Sequence, residues 1–166
     1  MSEPYSNMNA PRIITRELIA LIRREFVLDW TGIHGAPHWA RVRSNGLRLA
    51  EITGARTDVV ELFALLHDSQ RKHDGHDPEH GKRAADFATA IRGQVFSLDD
   101  QGLTFLVHAC ACHSDGFIEA DVTVQTCWDA DRLDLGRIGV APDPEKLCTS
   151  AARDREMIEW ALERSR

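Results

Sequence analysis

No stretch of the chain approaches the roughly 18 to 20 consecutive apolar residues that a bilayer-crossing helix needs, and the N-terminus lacks the basic-then-apolar pattern of a secretory signal. A cytoplasmic protein without membrane association is the resulting expectation. Cysteine is scarce. Cys110, Cys112, Cys127 and Cys148 form no C-x-x-C pair, so neither a zinc knuckle nor a disulfide framework is indicated, and the thiols are expected to be reduced and mostly buried. Lysine is scarcer still, three residues against 17 arginines. Planar guanidinium forks suit phosphate or carboxylate, although such a bias more often reflects genomic composition. A basic surface is missing too: the net charge of −6 argues against broad nucleic-acid or anionic-membrane binding. Strand alternation and internal repeats are absent, which makes the class all-α.

What remains is an ordinary globular composition, 43% hydrophobic and 28% charged over 166 residues, enough for one domain with a core of its own. Residues 1–11 show no periodicity and several turn formers; they read as a flexible leader to a single domain over residues 12–166. Apolar residues at Ile14, Leu18, Leu21, Ile22 and Phe26 have helical spacing across residues 13–28. Gly32, Gly35 and Pro37 interrupt the pattern, and a second helix is expected from His38 to about Ile52, with Val42, Leu47 and Leu49 inward and Gly54 as its stop. Thr57 or Asp58 caps a third, V-V-E-L-F-A-L-L-H-D, apolar around most of its circumference and therefore buried. Residues 69–78 are polar and rich in turn formers, a loop at the mouth of whatever His67 and Asp68 build. Further helices are expected from Pro78 or Glu79 to Arg92, from Leu98 or Asp99 to His113, and from Asp121 or Thr123 to Leu135. A short turn at residues 145–147 precedes a closing amphipathic helix over residues 154–164, which packs on its own core or on a partner; no other mark of oligomeric state is present.

Eight histidines and many aspartates fall between residues 34 and 134, several in segments that otherwise read as core. Burying an ionised carboxylate alone costs several kcal/mol, so Asp68, at the end of an apolar helix, demands a cation or hydrogen bonds. Imidazole from His67 beside it, together with carboxylate, suits manganese, iron, cobalt, nickel or zinc better than calcium.

With H-W-A-R-V at residues 38–42, the His67-Asp68 doublet ending an apolar helix, and D-A-D-R-L-D at residues 129–134, the chain resembles the HD superfamily of metal-dependent phosphohydrolases over roughly residues 30 to 140. The resemblance implies a compact bundle of about six to eight helices and a divalent metal held by His38, His67, Asp68 and Asp131. Asp131 is preferred over Asp129 and Asp134 by its A-D-R-L context. Asp129 stands about 200° from Asp131 around a helix and is not expected in the same coordination sphere, whereas Asp134 is placed to support a ligand from behind. Some members of the family add histidines between the doublet and the last Asp; His80 and His113 are the candidates here, so the site is read as holding one ion or two. His108 reads as a core histidine, and His34, His73 and His76 as loop residues, with His34 and His76 at the surface.

Such a metal implies hydrolysis of a small phosphorylated metabolite or nucleotide by an activated water. Arg71 and Lys72 are the leading cations for the phosphate oxygens, with Arg41 and Arg132 next, and Asp74 is a candidate general base or proton relay. Arg71 and Lys72 stand where the alarmone-hydrolysing branch of the family has an acidic pair, which makes alarmone hydrolysis by the same mechanism a poor expectation. No G-Y-P follows His113, so the cyclic-dinucleotide branch is unsupported. Alternatives from other classes are a diiron oxygenase on the same fold and a non-catalytic module that binds metal and nucleotide.

Overall fold

Eight α-helices and two short 3-10 turns make up the regular structure of the described residues, 11–166, in a computed structural model. The helices are α1 (Arg16–Glu25), α2 (Ala36–Thr53), α3 (Thr57–Leu66), α4 (His80–Ile91), α5 (Asp100–Cys112), α6 (Val122–Arg132), α7 (Ser150–Arg153) and α8 (Arg155–Ser165). The 3-10 turns lie at Leu135–Ile138 and Pro144–Lys146. The fold is all-α, with no strand among the described residues and no helix long and apolar enough to cross a membrane. The leader expected over residues 1–11 lies, apart from Pro11, outside the described residues.

Local chemistry sets most boundaries. Thr15 caps α1 by accepting from Leu18 N, and Asp99, Asp121 and Asp154 do the same for α5, α6 and α8. The second helix begins two residues earlier than the sequence suggested. Pro37 sits in its first turn, where the missing N–H has no intrahelical acceptor, so it opens the helix instead of breaking it. Gly54, at φ +75°, closes it in the left-handed conformation that a side chain would strain. The first helix stops at Glu25, three residues short of its expected end, where Phe26 turns extended.

The third helix occupies the centre. Val59, Val60, Leu62, Phe63, Ala64 and Leu66 are all buried, so it makes contact around most of its circumference, as its composition requires. Helices α2, α5 and α6 pack against it, and α4 packs against α5. Two glycines permit close approach: a Cβ at Gly46 would collide with Val60, and one at Gly81 would meet the α5 backbone. A smaller cluster of Leu49, Leu133, Leu147, Ala152, Met157 and Ala161 seats the C-terminal helix on its own chain.

His108 departs from the expectation of a core histidine. It is exposed, with its ring edge-on to buried Trp128 at 5.4 Å between centroids. Gln101, Thr104 and His108 share the outward stripe of α5, while Leu106, Ala109 and Cys110 face in. The four cysteines are free thiols; Cys110 and Cys127 are buried and the other two half-buried. Burial raises the thiol pKa of Cys127 well above its ordinary value.

Candidate metal centre

Three helix ends deliver the first group of donors. His38 lies in the first turn of α2, His67 and Asp68 follow the last residue of α3, and Asp131 lies in the last turn of α6. His38 and His67 are fully buried, with their Nε2 atoms 3.1 Å apart. Asp131 Oδ1 lies 3.2 Å from His38 Nε2 and 3.5 Å from His67 Nε2, and Asp68 Oδ2 lies 3.5 Å from each. A second group faces the other oxygen of the same carboxylate. His80 Nε2 and His113 Nε2 are 2.9 Å apart and lie 3.3 and 3.5 Å from Asp68 Oδ1. Asp68 therefore stands between two imidazole pairs, one oxygen turned to each.

Every ring in this cluster is held by its other nitrogen. His38 Nδ1 donates to Asp134 Oδ2 at 2.6 Å, His67 Nδ1 to the Phe63 and Ala64 carbonyls, His80 Nδ1 to Asp77 O, and His113 Nδ1 to Cys110 O at 2.7 Å. With the protons on Nδ1, four Nε2 lone pairs and two carboxylates converge on two small spaces. Mutually repelling donors of this kind are stable only around positive charge. Ligand atoms bonded at about 2.0–2.2 Å to one divalent ion lie about 3.0–3.5 Å from one another, and the separations of 2.9–3.5 Å follow that spacing. His38, His67 and Asp68 form one set able to hold a cation, and Asp68, His80 and His113 another.

In the metal-free chain a proton occupies part of this role. Burial opposes charge on His38, but the carboxylates of Asp131, Asp134 and Asp68 outweigh it and push its pKa up to about 10. Burial lowers that of His67, its neighbour across the shared space. It would raise Asp68 and Asp131, yet the surrounding imidazoles hold both well below the ordinary carboxylate range.

Sequence and structure converge at this point. Among solved structures the chain is similar to that of a predicted HD superfamily hydrolase from an uncultured Thermotogales bacterium, at 26% identity and a TM-score of 0.69, over 89% of this chain and 84% of that one. That likeness supports the resemblance to the HD superfamily read from the sequence. No protein-family model matches it, and no curated protein does.

Within this HD fold the remaining candidate residues separate into two groups. Arg71 stays at the centre, its Nε donating to Asp68 Oδ1 at 3.0 Å and its Nη1 to the His73 and Gly75 carbonyls. Arg41 was read as a substrate cation, but its Nε donates to Asp134 Oδ1 at 2.7 Å; with Asp134 it fixes the His38 ring from behind. Arg132 is committed elsewhere, to the Lys146 and Phe117 carbonyls and the Trp128 face, and so ties down loops. Lys72 is exposed, and its backbone N–H donates to Asp77. Asp129, on the far side of α6, accepts from Cys148 N, Thr149 N and the Thr149 hydroxyl; burial raises its pKa despite those bonds.

Three residues escaped the sequence reading. His34 is buried, not at the surface, and its Nδ1 donates to Asp74 Oδ1 at 2.7 Å. His73 and His76 are exposed. Asp77 is a buried knot in the loop, accepting from Lys72 N and Arg83. Burial works to raise its pKa, but these donors bring it to about 2. Its carbonyl orients His80, and the D-P pair just before α4 was the available signal. Arg137 reaches back to the Ile33 carbonyl, 104 residues away, and no local pattern announces it.

Proposed function

We propose that this chain is a metal-dependent phosphohydrolase acting on a small phosphorylated metabolite, a nucleotide or another phosphomonoester. The observation that carries the proposal is Asp68, one carboxylate turned to two imidazole pairs. It supports a centre of two divalent ions, with His38, His67, Asp68 and Asp131 around one and Asp68, His80 and His113 around the other. The relative's description as a hydrolase points the same way. When bound, such ions lower the pKa of a water toward neutrality and polarise a phosphoryl oxygen. The protein's own part is to fix the donors. Asp134 and the carbonyls of Phe63, Asp77 and Cys110 hold the four rings so that only Nε2 faces inward. Arg71, on Asp68, adds fixed positive charge for a phosphate oxygen.

Purified protein with manganese, cobalt, nickel or magnesium is expected to turn over members of a phosphate-ester panel. Asp68→Ala, which removes the shared ligand, is expected to abolish both turnover and bound metal. Absence of turnover with every metal, or an Asp68→Ala variant with undiminished metal content, refutes the proposal. A bridged six-residue donor set also suits two irons that activate dioxygen. A coupled diiron signal in electron paramagnetic resonance of anaerobically purified protein, with no esterase turnover, selects that chemistry instead.

A further inference from the structure

A cavity of about 730 Å³ opens on the side of α2 that faces away from the metal centre. Ala36, Ala40 and Arg43 form one stripe of that helix and part of the cavity wall. His38, Arg41 and Asn45 leave the helix on the opposite side, where they reach Asp134 and the Ala130 carbonyl. Ile19 and Ile22 of α1 and Leu65 of α3 supply aliphatic wall, and Trp30 and Trp39, edge-on to each other at 5.3 Å between centroids, supply aromatic wall. Small-molecule sites have volumes of roughly 300–1,000 Å³ and pair an apolar lining with a few placed polar groups. This cavity has that size and that lining, and it shares no residue with the donor set.

Its polar groups call for a ligand that carries oxygen and negative charge. Trp39 is 3% exposed, and its Nε1–H is buried with no acceptor among the described residues. A buried indole N–H ordinarily finds a partner, because one left unpaired has given up its water for nothing. Among the described residues that line the cavity, three arginines face a single carboxylate, that of Glu61. Arg43 is taken up by it, with Nε donating to Oε1 at 2.8 Å. Arg12 and Arg16 are exposed at the cavity, and no carboxylate of its wall is left for them. We infer that the cavity binds a small amphipathic carboxylic acid. Its hydrocarbon body lies against Ile19, Ile22, Trp30 and Leu65, and its carboxylate accepts from Trp39 Nε1–H and from Arg12 and Arg16, whose long side chains fold over it. A flat head with two oxygens matches the planar guanidinium forks and leaves a lone pair for the indole. The site is separate from the metal centre and stands independently of the reaction proposed there.

Calorimetric titration of the full chain with decanoate and with decanol, which has the same hydrocarbon body and no charge, tests the inference. Decanoate is expected to saturate at one per chain and to bind about tenfold more tightly than decanol, since hydrogen bonds to a charged group are the stronger ones. Replacing both exposed arginines, Arg12→Gln with Arg16→Gln, is expected to remove that preference. Trp39→Phe keeps an aromatic wall but deletes the donor, and is expected to weaken decanoate binding about tenfold. Ala40→Trp places bulk in the cavity from a position that is exposed on α2; it is expected to abolish decanoate binding and leave bound metal unchanged. Absence of saturable binding, equal affinity for decanoate and decanol, or decanoate binding undiminished in Trp39→Phe or in Ala40→Trp overturns the inference. An undiminished Ala40→Trp variant would place the ligand elsewhere on the chain, the metal centre included. None of these outcomes touches phosphate-ester turnover, so the two readings fail separately.

Discussion

Gly81→Ala adds one methyl group where α4 crosses α5, and the structure gives its consequences in some detail. The new Cβ would lie 2.6 Å from Cys110 O and 3.0 Å from Ala111 O. The first contact is roughly 1 Å inside the optimal separation of about 3.5–4.0 Å. Both obstacles are backbone carbonyls of a helix and cannot swing aside as a side-chain end would. Overpacking of this kind costs about 1–3 kcal/mol. Replacing a helical glycine by alanine returns at most about 1 kcal/mol. A net loss of about 0–2 kcal/mol lowers Tm by no more than about 8 °C for a chain of this size. The larger effect falls on the donor set, because Cys110 O is the acceptor that orients His113, and His80 is the residue beside Gly81. Disturbing such a supporting partner weakens metal binding about 10- to 100-fold, here at the His80–His113 pocket alone. Metal titration followed by elemental analysis should show one site weakened and the site at His38, His67 and Asp131 unchanged. If both sites bind with wild-type affinity and the variant melts higher, as helix propensity alone would have it, the close-approach argument is wrong.

Two other expectations bear on the first pocket. Asp134→Asn keeps the shape but removes the charge that anchors His38 Nδ1 and Arg41, so affinity at that pocket should fall about 10- to 100-fold; titration with the second pocket as internal control checks this, and unchanged affinity refutes it. Metal binding should also release a proton. With a pKa of about 10 in the metal-free chain, His38 is protonated at pH 7 to 8, and a cation must displace that proton, so affinity rises with pH until about 10. Calorimetry in two buffers of different ionisation enthalpy measures the release, and a binding heat independent of buffer contradicts it.

How much of this was legible beforehand varies from element to element. Of the candidate ligands, His67 and Asp68 stood out because they end a helix that is otherwise apolar, a local conflict that only a partner can resolve, whereas His38 and Asp131, on helices of mixed composition, were legible only through the resemblance of their motifs. His80 and His113 were recognisable as histidines at helix ends, but their meeting depends on how closely α4 approaches α5, which Gly81 allows and no periodicity reveals. Arg41 and Arg132 were misjudged for a related reason: adjacency in sequence to a ligand says nothing about which way a long side chain turns, and both found acceptors elsewhere. His34 looked like a surface residue because its neighbours are turn formers, yet the turn folds inward against residues 40 and 104 positions away.

The amino-acid sequence by itself determined that the chain is helical, where most helices start and stop, and that Asp68, at the end of an apolar helix, needs a cation or hydrogen bonds. Those outcomes follow from caps, glycine and proline, apolar spacing and the cost of burying charge, all of which act within a few residues. Tertiary structure alone decided that one carboxylate serves two imidazole pairs, and that His34 and Asp74 form a pair beside them. Distances of about 3 Å between groups dozens of residues apart are set by the packing of whole helices, and no short window of sequence contains that information.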